Sequence, residues 1–145
     1  MPVSVEVGLK MVMAPSKWAL PVTVFTTPKL RAADITFWTV WEKDVLLGCG
    51  ALKELSPTHG EIKSMRTPRA LRRRGAGRAV LAHIVAEARQ RGYETLSLET
   101  GSHPAFLPAQ ALYRSFGFIY SGPFGSYREN PHSVFMSLRL AASAP

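Results

Sequence analysis

The stretch from Glu61 to Thr100 limits what this chain can fold into more than any other. Glu61–Thr67 reads as a strand, Arg72-Arg73-Arg74-Gly75-Ala76-Gly77 follows it, and an amphipathic segment then runs to Gly92. Gly77, Val80, Leu81, Ile84, Val85 and Ala88 fall on one helical stripe, while Arg78, Glu87, Arg89, Gln90 and Arg91 face away. Glu87 and Arg91 have the i,i+4 spacing at which opposite charges support a helix, and Gly92 supplies its C-terminal stop. Thr95–Thr100 then alternates Leu96 and Leu98 with Ser97 and Glu99, the pattern of a strand. Strand, helix, strand in one sheet predicts two parallel strands joined by a right-handed crossover.

The turn inside this unit carries its own chemistry. The first amides of a helix have no partner within it, and the helix dipole favours negative charge at that end. Gly75 and Gly77 remove side chains where a pyrophosphate would approach the backbone. A P-loop would need Gly-Lys-Ser/Thr, but Gly77 is followed by Arg78-Ala79; a dinucleotide fingerprint would need a third glycine where Val80 stands. The formal charge is +8 and the pI about 10.2, which favours anionic partners. Arg66, Arg69, Arg72, Arg73, Arg74 and Arg78 concentrate that charge around the glycines. Such crowding fits one local anion better than a long nucleic-acid track, and nucleic acid is not the expected partner.

The flanking segments predict antiparallel strands. Ile35–Trp41 and Val45–Leu55 form a hairpin about the polar turn Glu42-Lys43-Asp44, with Gly48 and Gly50 marking a bulge or a close neighbouring backbone. A second turn, Ser56–Gly60, leads into Glu61–Thr67. Pro108 opens a second helix that Ala109, Leu112 and Phe116 hold to the core and Gly117 ends. Strands follow near Phe118–Ser121 and Ser133–Leu140, then a frayed tail over 141–145. The fold class is α/β: a mixed sheet with helices on its faces, in one domain over 1–145. Residues 1–34 are least legible: Val3, Val5 and Val7 suggest an opening strand, and Pro15, Pro21 and Pro28 then break any long helix.

The lone cysteine, Cys49, forms no internal bridge and suits a reducing cytoplasm. The apolar run Trp18–Phe25 contains Pro21 and is far too short to span a membrane, so no membrane partner is expected. His59, His83, His103 and His132 lack paired-ligand spacing, and no metal is expected.

Three elements together resemble the GNAT superfamily of N-acetyltransferases. Arg72-Arg73-Arg74-Gly75-Ala76-Gly77 matches the family's Arg/Gln-x-x-Gly-x-Gly/Ala signature, and Glu61–Thr67 is similar to its central strand. Ala109-Gln110-Ala111-Leu112-Tyr113-Arg114-Ser115-Phe116-Gly117-Phe118 matches its Ala-x-x-Leu-Tyr-x-x-x-Gly-Phe element. The resemblance spans Ile35–Leu140. It implies acetyl-CoA as co-substrate, lying in a splay between the two central parallel strands, and direct attack by a primary amine of a small molecule or amino acid. It implies that main-chain groups of Met65 and Thr67, next to Arg66, hold the pantetheine arm. The pyrophosphate falls to Gly75, Ala76 and Gly77, with Arg72, Arg73, Arg74 and Arg78 attracting it. Tyr113 matches the family's acid beside the sulfur, Glu61 its general base; Glu99 competes for the second role, with His103 just beyond it. Edge-strand homodimers are common in the family, and that assembly is expected.

Two departures stand out. The family often carries asparagine three residues before the alanine matched by Ala109, where this chain has Phe106, and residues 1–34 do not resemble the usual opening of strand, two helices and strand. The other wall of the acceptor pocket would be Ser121–Ser133, where Tyr127, Arg128, Glu129 and His132 are candidates for acceptor contact. Two other readings follow from these features: a module that holds acyl-CoA without efficient catalysis, and, on charge alone, a basic nucleic-acid binder.

Overall fold

A computed structural model of the chain describes residues 9–11, 23–26, 34–42, 44–67 and 75–140. Among these described residues, eight strands and two α-helices occur in the order β1 (Leu9–Met11), β2 (Thr23–Thr26), β3 (Ile35–Glu42), β4 (Val45–Ser56), β5 (His59–Arg66), α1 (Ala76–Gln90), β6 (Thr95–Gly101), α2 (Leu107–Ser115), β7 (Ile119–Ser121) and β8 (Ser133–Arg139). One sheet contains all the strands, in the spatial order β1-β2-β3-β4-β5-β6-β8-β7. β5 and β6 are parallel and every other neighbouring pair is antiparallel. The mixed α/β class and the parallel pair around a helix are as the sequence predicts.

The core follows from alternation. Ile62 on β5, Leu96 and Leu98 on β6 and Met136 and Leu138 on β8 meet Val80, Leu81, Ile84, Val85 and Ala88 of α1 in one apolar cluster. The stripe read from the sequence is this buried face, except that Gly77 is only partly buried and the face extends to Ala76 and His83. Glu87 pairs with Arg91 at 3.0 Å, and the Arg91 guanidinium also donates to Thr36 Oγ1 at 2.9 Å, tying the helix end to β3. Gly92 turns the chain with φ +84.

Several boundaries move. β5 begins at His59, not Glu61, because Pro57-Thr58 alone make the turn and His59 already pairs with Ser56 and with Thr95. The second helix is preceded by a 3₁₀ turn at Pro104–Phe106, capped by His103, whose Nδ1 accepts from the Ala105 amide at 3.0 Å. Its most buried residues are Gln110 and Tyr113, while Ala109, Leu112 and Phe116 are only partly buried. Gln110 goes inside because its amide is satisfied there: Nε2 donates to the Gly101 carbonyl and Oε1 accepts from the Tyr120 hydroxyl, each at 2.9 Å. Within the illegible 1–34 region, β1 pairs with β2 and β2 with β3. The strand expected at Val3, Val5 and Val7 and the tail at 141–145 lie outside the described residues. Among the described residues no helix is long and apolar enough to cross a membrane.

Gly48 and Gly50 mark both a bulge and a close approach. The β4–β5 register shifts between Cys49 and Ala51, so that Ser64 and Met65 together oppose Gly50. Ser64 takes φ 55 there, alone in positive φ among the described non-glycine residues. A Cβ at Gly50 would lie 2.7 Å from Met65 Sδ, and one at Gly48 would lie 2.7 Å from the Arg66 carbonyl oxygen. The Gly48 neighbour is backbone and cannot swing away. Gly48→Ala is therefore expected to destabilise the protein by about 2 kcal/mol, read as a lower urea midpoint; an unchanged midpoint would show that β5 gives way.

Candidate active site

Two strands that run parallel and then part leave backbone edges for a ligand. The β5–β6 ladder begins at His59↔Thr95 and ends at Ile62↔Leu98. Beyond it Arg66 pairs only toward β4, and Glu99, Thr100 and Gly101 pair only toward β8. The opening thus lies between Lys63–Arg66 and Glu99–Gly101. The bulge at Ser64 helps produce it, because an extra residue bends the strand that carries it away from its neighbour's line.

Met65 and Thr67 flank this opening from β5. The Met65 side chain turns into the core beside Gly50, and Thr67 Oγ1 lies between the Gly48 and Gly77 positions. Arg66 is exposed. Helix α1 starts next to Thr67 with Gly75 as its N-cap at φ 80, with no side-chain cap and no acidic residue in its first turn. A Cβ on Gly75 would meet nothing within 4 Å, and one on Gly77 would come 3.3 Å from Leu112 Cδ2. Ala76 is buried beneath the turn. Arg78 projects from the first turn with its guanidinium over the Phe116 ring, 5.5 Å from the centroid. Arg72, Arg73 and Arg74 lie outside the described residues.

The candidates for proton transfer approach from opposite faces of the sheet. Tyr113, on α2, belongs to the core cluster on the α1 side, edge-on to Phe118 at 5.8 Å between centroids. Burial pushes its phenol up to about 12, and its hydroxyl makes no hydrogen bond among the described residues. Glu61 lies on the other face. It is 3 % exposed, and its Oε2 accepts a hydrogen bond from the Tyr127 hydroxyl at 2.6 Å. Lys63 Nζ stands 3.7 Å from the same oxygen. Burial raises the Tyr127 phenol well above the ordinary range, and its hydrogen bond to the Glu61 carboxylate, that charge and the charge of Glu99 raise it further. Glu99, on the same face just past the last ladder pair, is exposed and accepts from Ser133 Oγ at 2.6 Å. The structure therefore gathers Glu61, Glu99 and Tyr127 on one face of the sheet and packs Tyr113 into the core on the other. His103, by contrast, is spent on its 3₁₀ cap.

Two features of this region escape a sequence reading. The first is a hydroxyl chain across four strands, from His59 Nε2 to Ser97 Oγ (2.8 Å), Ser137 Oγ (2.9 Å) and Ser121 Oγ (3.0 Å). It explains why Ser97, on the opposite side of β6 from Leu96 and Leu98, is only 1 % exposed. The second is the aromatic cluster of Phe124, Tyr127 and Phe135, with centroids 5.1 to 6.0 Å apart, which lays the β7–β8 connection over this face. Of the loop candidates, Tyr127 turns inward while Arg128, Glu129 and His132 stay exposed. Phe106 lies across Gly101 so closely that any Cβ there would collide with its ring. Among the described residues no group of three or more His, Cys, Asp or Glu side chains could hold a metal ion.

Comparisons with known proteins agree with this architecture. The model of the acetyltransferase (GNAT) family matches residues 13–118, starting earlier and ending sooner than the resemblance legible in the sequence. The chain is 60 % identical over 112 residues to YsnE of Bacillus subtilis (strain 168), described as an uncharacterized N-acetyltransferase; the match covers 77 % of this chain and 74 % of YsnE. A putative acyl-CoA N-acyltransferase from Klebsiella pneumoniae superposes with a TM-score of 0.68 at 33 % identity, over 74 % of each chain. A Bacillus subtilis acetyltransferase in complex with CoA shares the fold at a TM-score of 0.64 and 20 % identity, over 79 % of this chain and 82 % of that one. On a sheet whose β5 and β6 part beside an uncapped glycine turn, the family match over residues 13–118 and the 60 % identity to YsnE show that the chain belongs to the GNAT family of acetyltransferases and is an acyltransferase.

Proposed function

We propose that this enzyme transfers the acetyl group of acetyl-CoA to a primary amine of a small molecule or amino acid by direct attack. The observation that carries the reading is the opening between β5 and β6, with the enclosed Glu61 carboxylate on one face of the sheet and the Tyr113 phenol in the core on the other. The residues fit such a donor. The strand edges past Ile62 and Leu98 offer unpaired main chain to a pantetheine arm at Met65 and Thr67, next to Arg66. Gly75, Ala76 and Gly77 form an anion-ready helix start without acidic side chains, flanked by Arg72, Arg73, Arg74 and Arg78. That a fold relative is known in complex with CoA supports CoA as the carrier of the donor group. Cys49, the one cysteine of the sequence, suits a reducing compartment, and we place the reaction in the cytoplasm.

The thioester supplies an activated acyl carbon, and this chain's own residues supply position and proton transfer. Holding the two reactants together accounts for much of such a rate enhancement. Glu61 takes the proton that the incoming ammonium must lose before its nitrogen can attack. Tyr113 gives a proton to the departing sulfur, and its raised phenol keeps that proton available throughout the neutral range. Glu61 is favoured over Glu99 as the base because it is enclosed and fixed by two partners, whereas Glu99 is exposed and turned toward Ser133.

A thiol-release screen with acetyl-CoA across simple amines, amino acids, polyamines and short peptides tests the reaction; release by none of them overturns it. With the best acceptor found, Glu61→Gln should abolish the acidic limb of the rate profile and Glu99→Gln should keep it. The reverse result would move the base to Glu99.

A further inference from the structure

Tyr127 makes the shortest contact to the proposed base, and it comes from a part of the chain distant in sequence. Its hydroxyl donates to Glu61 Oε2 at 2.6 Å, and Lys63 Nζ lies 3.5 Å from that hydroxyl and 3.7 Å from the same carboxylate oxygen. Both partners thus converge on Oε2, while Oε1 makes no hydrogen bond among the described residues. A carboxylate only 3 % exposed needs such partners, because a buried charge left without them is costly. The phenol is itself fixed: its ring meets Phe124 at 5.1 Å and Phe135 at 5.7 Å, one from the same loop and one from β8.

The other groups on this face do not compete for Oε2. His59, two residues earlier on β5, gives its Nε2 to Ser97 on β6, and Glu99 accepts from Ser133. Lys53 stands across from Glu61 on β4 in the strand register. Arg128 and Glu129, beside Tyr127 in the loop, are exposed.

We propose that Tyr127 is a positioning residue: with Lys63 it pins Glu61 Oε2, so that Oε1 faces the opening and receives the proton of the acceptor's ammonium. The loop Gly122–His132 thereby becomes part of the acceptor machinery, since the clamp closes only when that loop lies on the sheet. The inference rests on Glu61 acting as the base.

A double-mutant cycle separates this role from simple packing. Tyr127→Phe keeps the ring and its aromatic contacts and removes only the donor. With acetyl-CoA and the fastest amine of the screen, it should lower kcat about tenfold and leave the KM for acetyl-CoA unchanged. In a Glu61→Gln background the same change should have almost no further effect, because the group it acts through is gone. Equal loss of kcat in both backgrounds, or a gain in kcat, would overturn the proposal; the second result would mean that the contact blocks the base. If Glu61→Gln alone leaves turnover intact, the base assignment fails instead. Proton NMR covers the case in which no amine is acetylated. A short hydroxyl bond to a carboxylate should give a slowly exchanging downfield resonance that disappears in Tyr127→Phe and moves in Glu61→Gln. Its absence from the unmutated protein would also sink the clamp.

Discussion

Tyr113→Phe is expected to lower turnover by roughly 10²-fold or more while leaving CoA affinity and folding stability nearly unchanged. The reasoning rests on how little else the hydroxyl does. The ring is buried in the core cluster, edge-on to Phe118, and supplies packing that phenylalanine retains. The hydroxyl has no hydrogen-bond partner among the described residues, so its removal leaves no donor or acceptor stranded. What is lost is the proton proposed for the leaving sulfur, carried by a phenol that burial has pushed up to about 12. The sign follows from that direction: a raised phenol is protonated at every pH where the enzyme would be assayed, so Tyr113 should contribute no basic limb below about pH 11. Steady-state thiol release and calorimetric titration with CoA check the two halves. Full turnover in the variant would remove Tyr113 from the chemistry, and a large fall in CoA affinity would make it a binding residue.

Gly77→Asp should separate folding from donor binding in the opposite way. An aspartate in the first turn of α1 interacts favourably with the helix dipole, worth about 0.3–1 kcal/mol. The new Cβ would come 3.3 Å from Leu112 Cδ2, the flexible end of a partly buried side chain, so the steric cost is small. Stability should therefore stay within about 1 kcal/mol of the parent. CoA binding should fall by roughly 100-fold or more, because a carboxylate then occupies the place proposed for the pyrophosphate and repels it. Thermal unfolding and calorimetry on one protein sample read both quantities. Retained CoA affinity would show that the phosphates are bound elsewhere, and the arginine cluster before the turn would be the place to look.

The relation between Arg78 and Phe116 qualifies how the turn is read. From sequence alone Arg78 belongs with Arg72, Arg73 and Arg74 as one cationic group. In the fold its guanidinium lies over an aromatic ring of α2, linking the start of α1 to the helix that bears Tyr113. The donor turn and the proposed acid are thus mechanically connected as well as adjacent. Phe106 is a comparable case. It replaces a polar residue expected from the family pattern, and the fold uses it to cover Gly101, while Gln110 one turn later makes the polar bridge to the Gly101 carbonyl.

Periodicity and turn chemistry made much of this protein legible in its sequence. The α1 stripe, the hairpin of β3 and β4, the parallel pair around the helix and the glycine-rich helix start each follow from contacts within a few residues, where spacing and residue type decide geometry. Glu61 and Tyr113 were candidates through the family resemblance, with Glu99 as a competitor, and the turn residues through their own chemistry as well. The tertiary structure alone decided which of them meet. That Glu61 is enclosed and Glu99 exposed depends on a loop some 66 positions away in sequence laying Tyr127 over one strand and not the other. The parting of β5 and β6 depends on a bulge at Ser64 that forms only against Gly50 of the neighbouring strand. Local pattern sets which face of an element is apolar, but the orientation of a buried carboxylate is set by whichever distant donors reach it, because a buried charge without partners is too costly to persist.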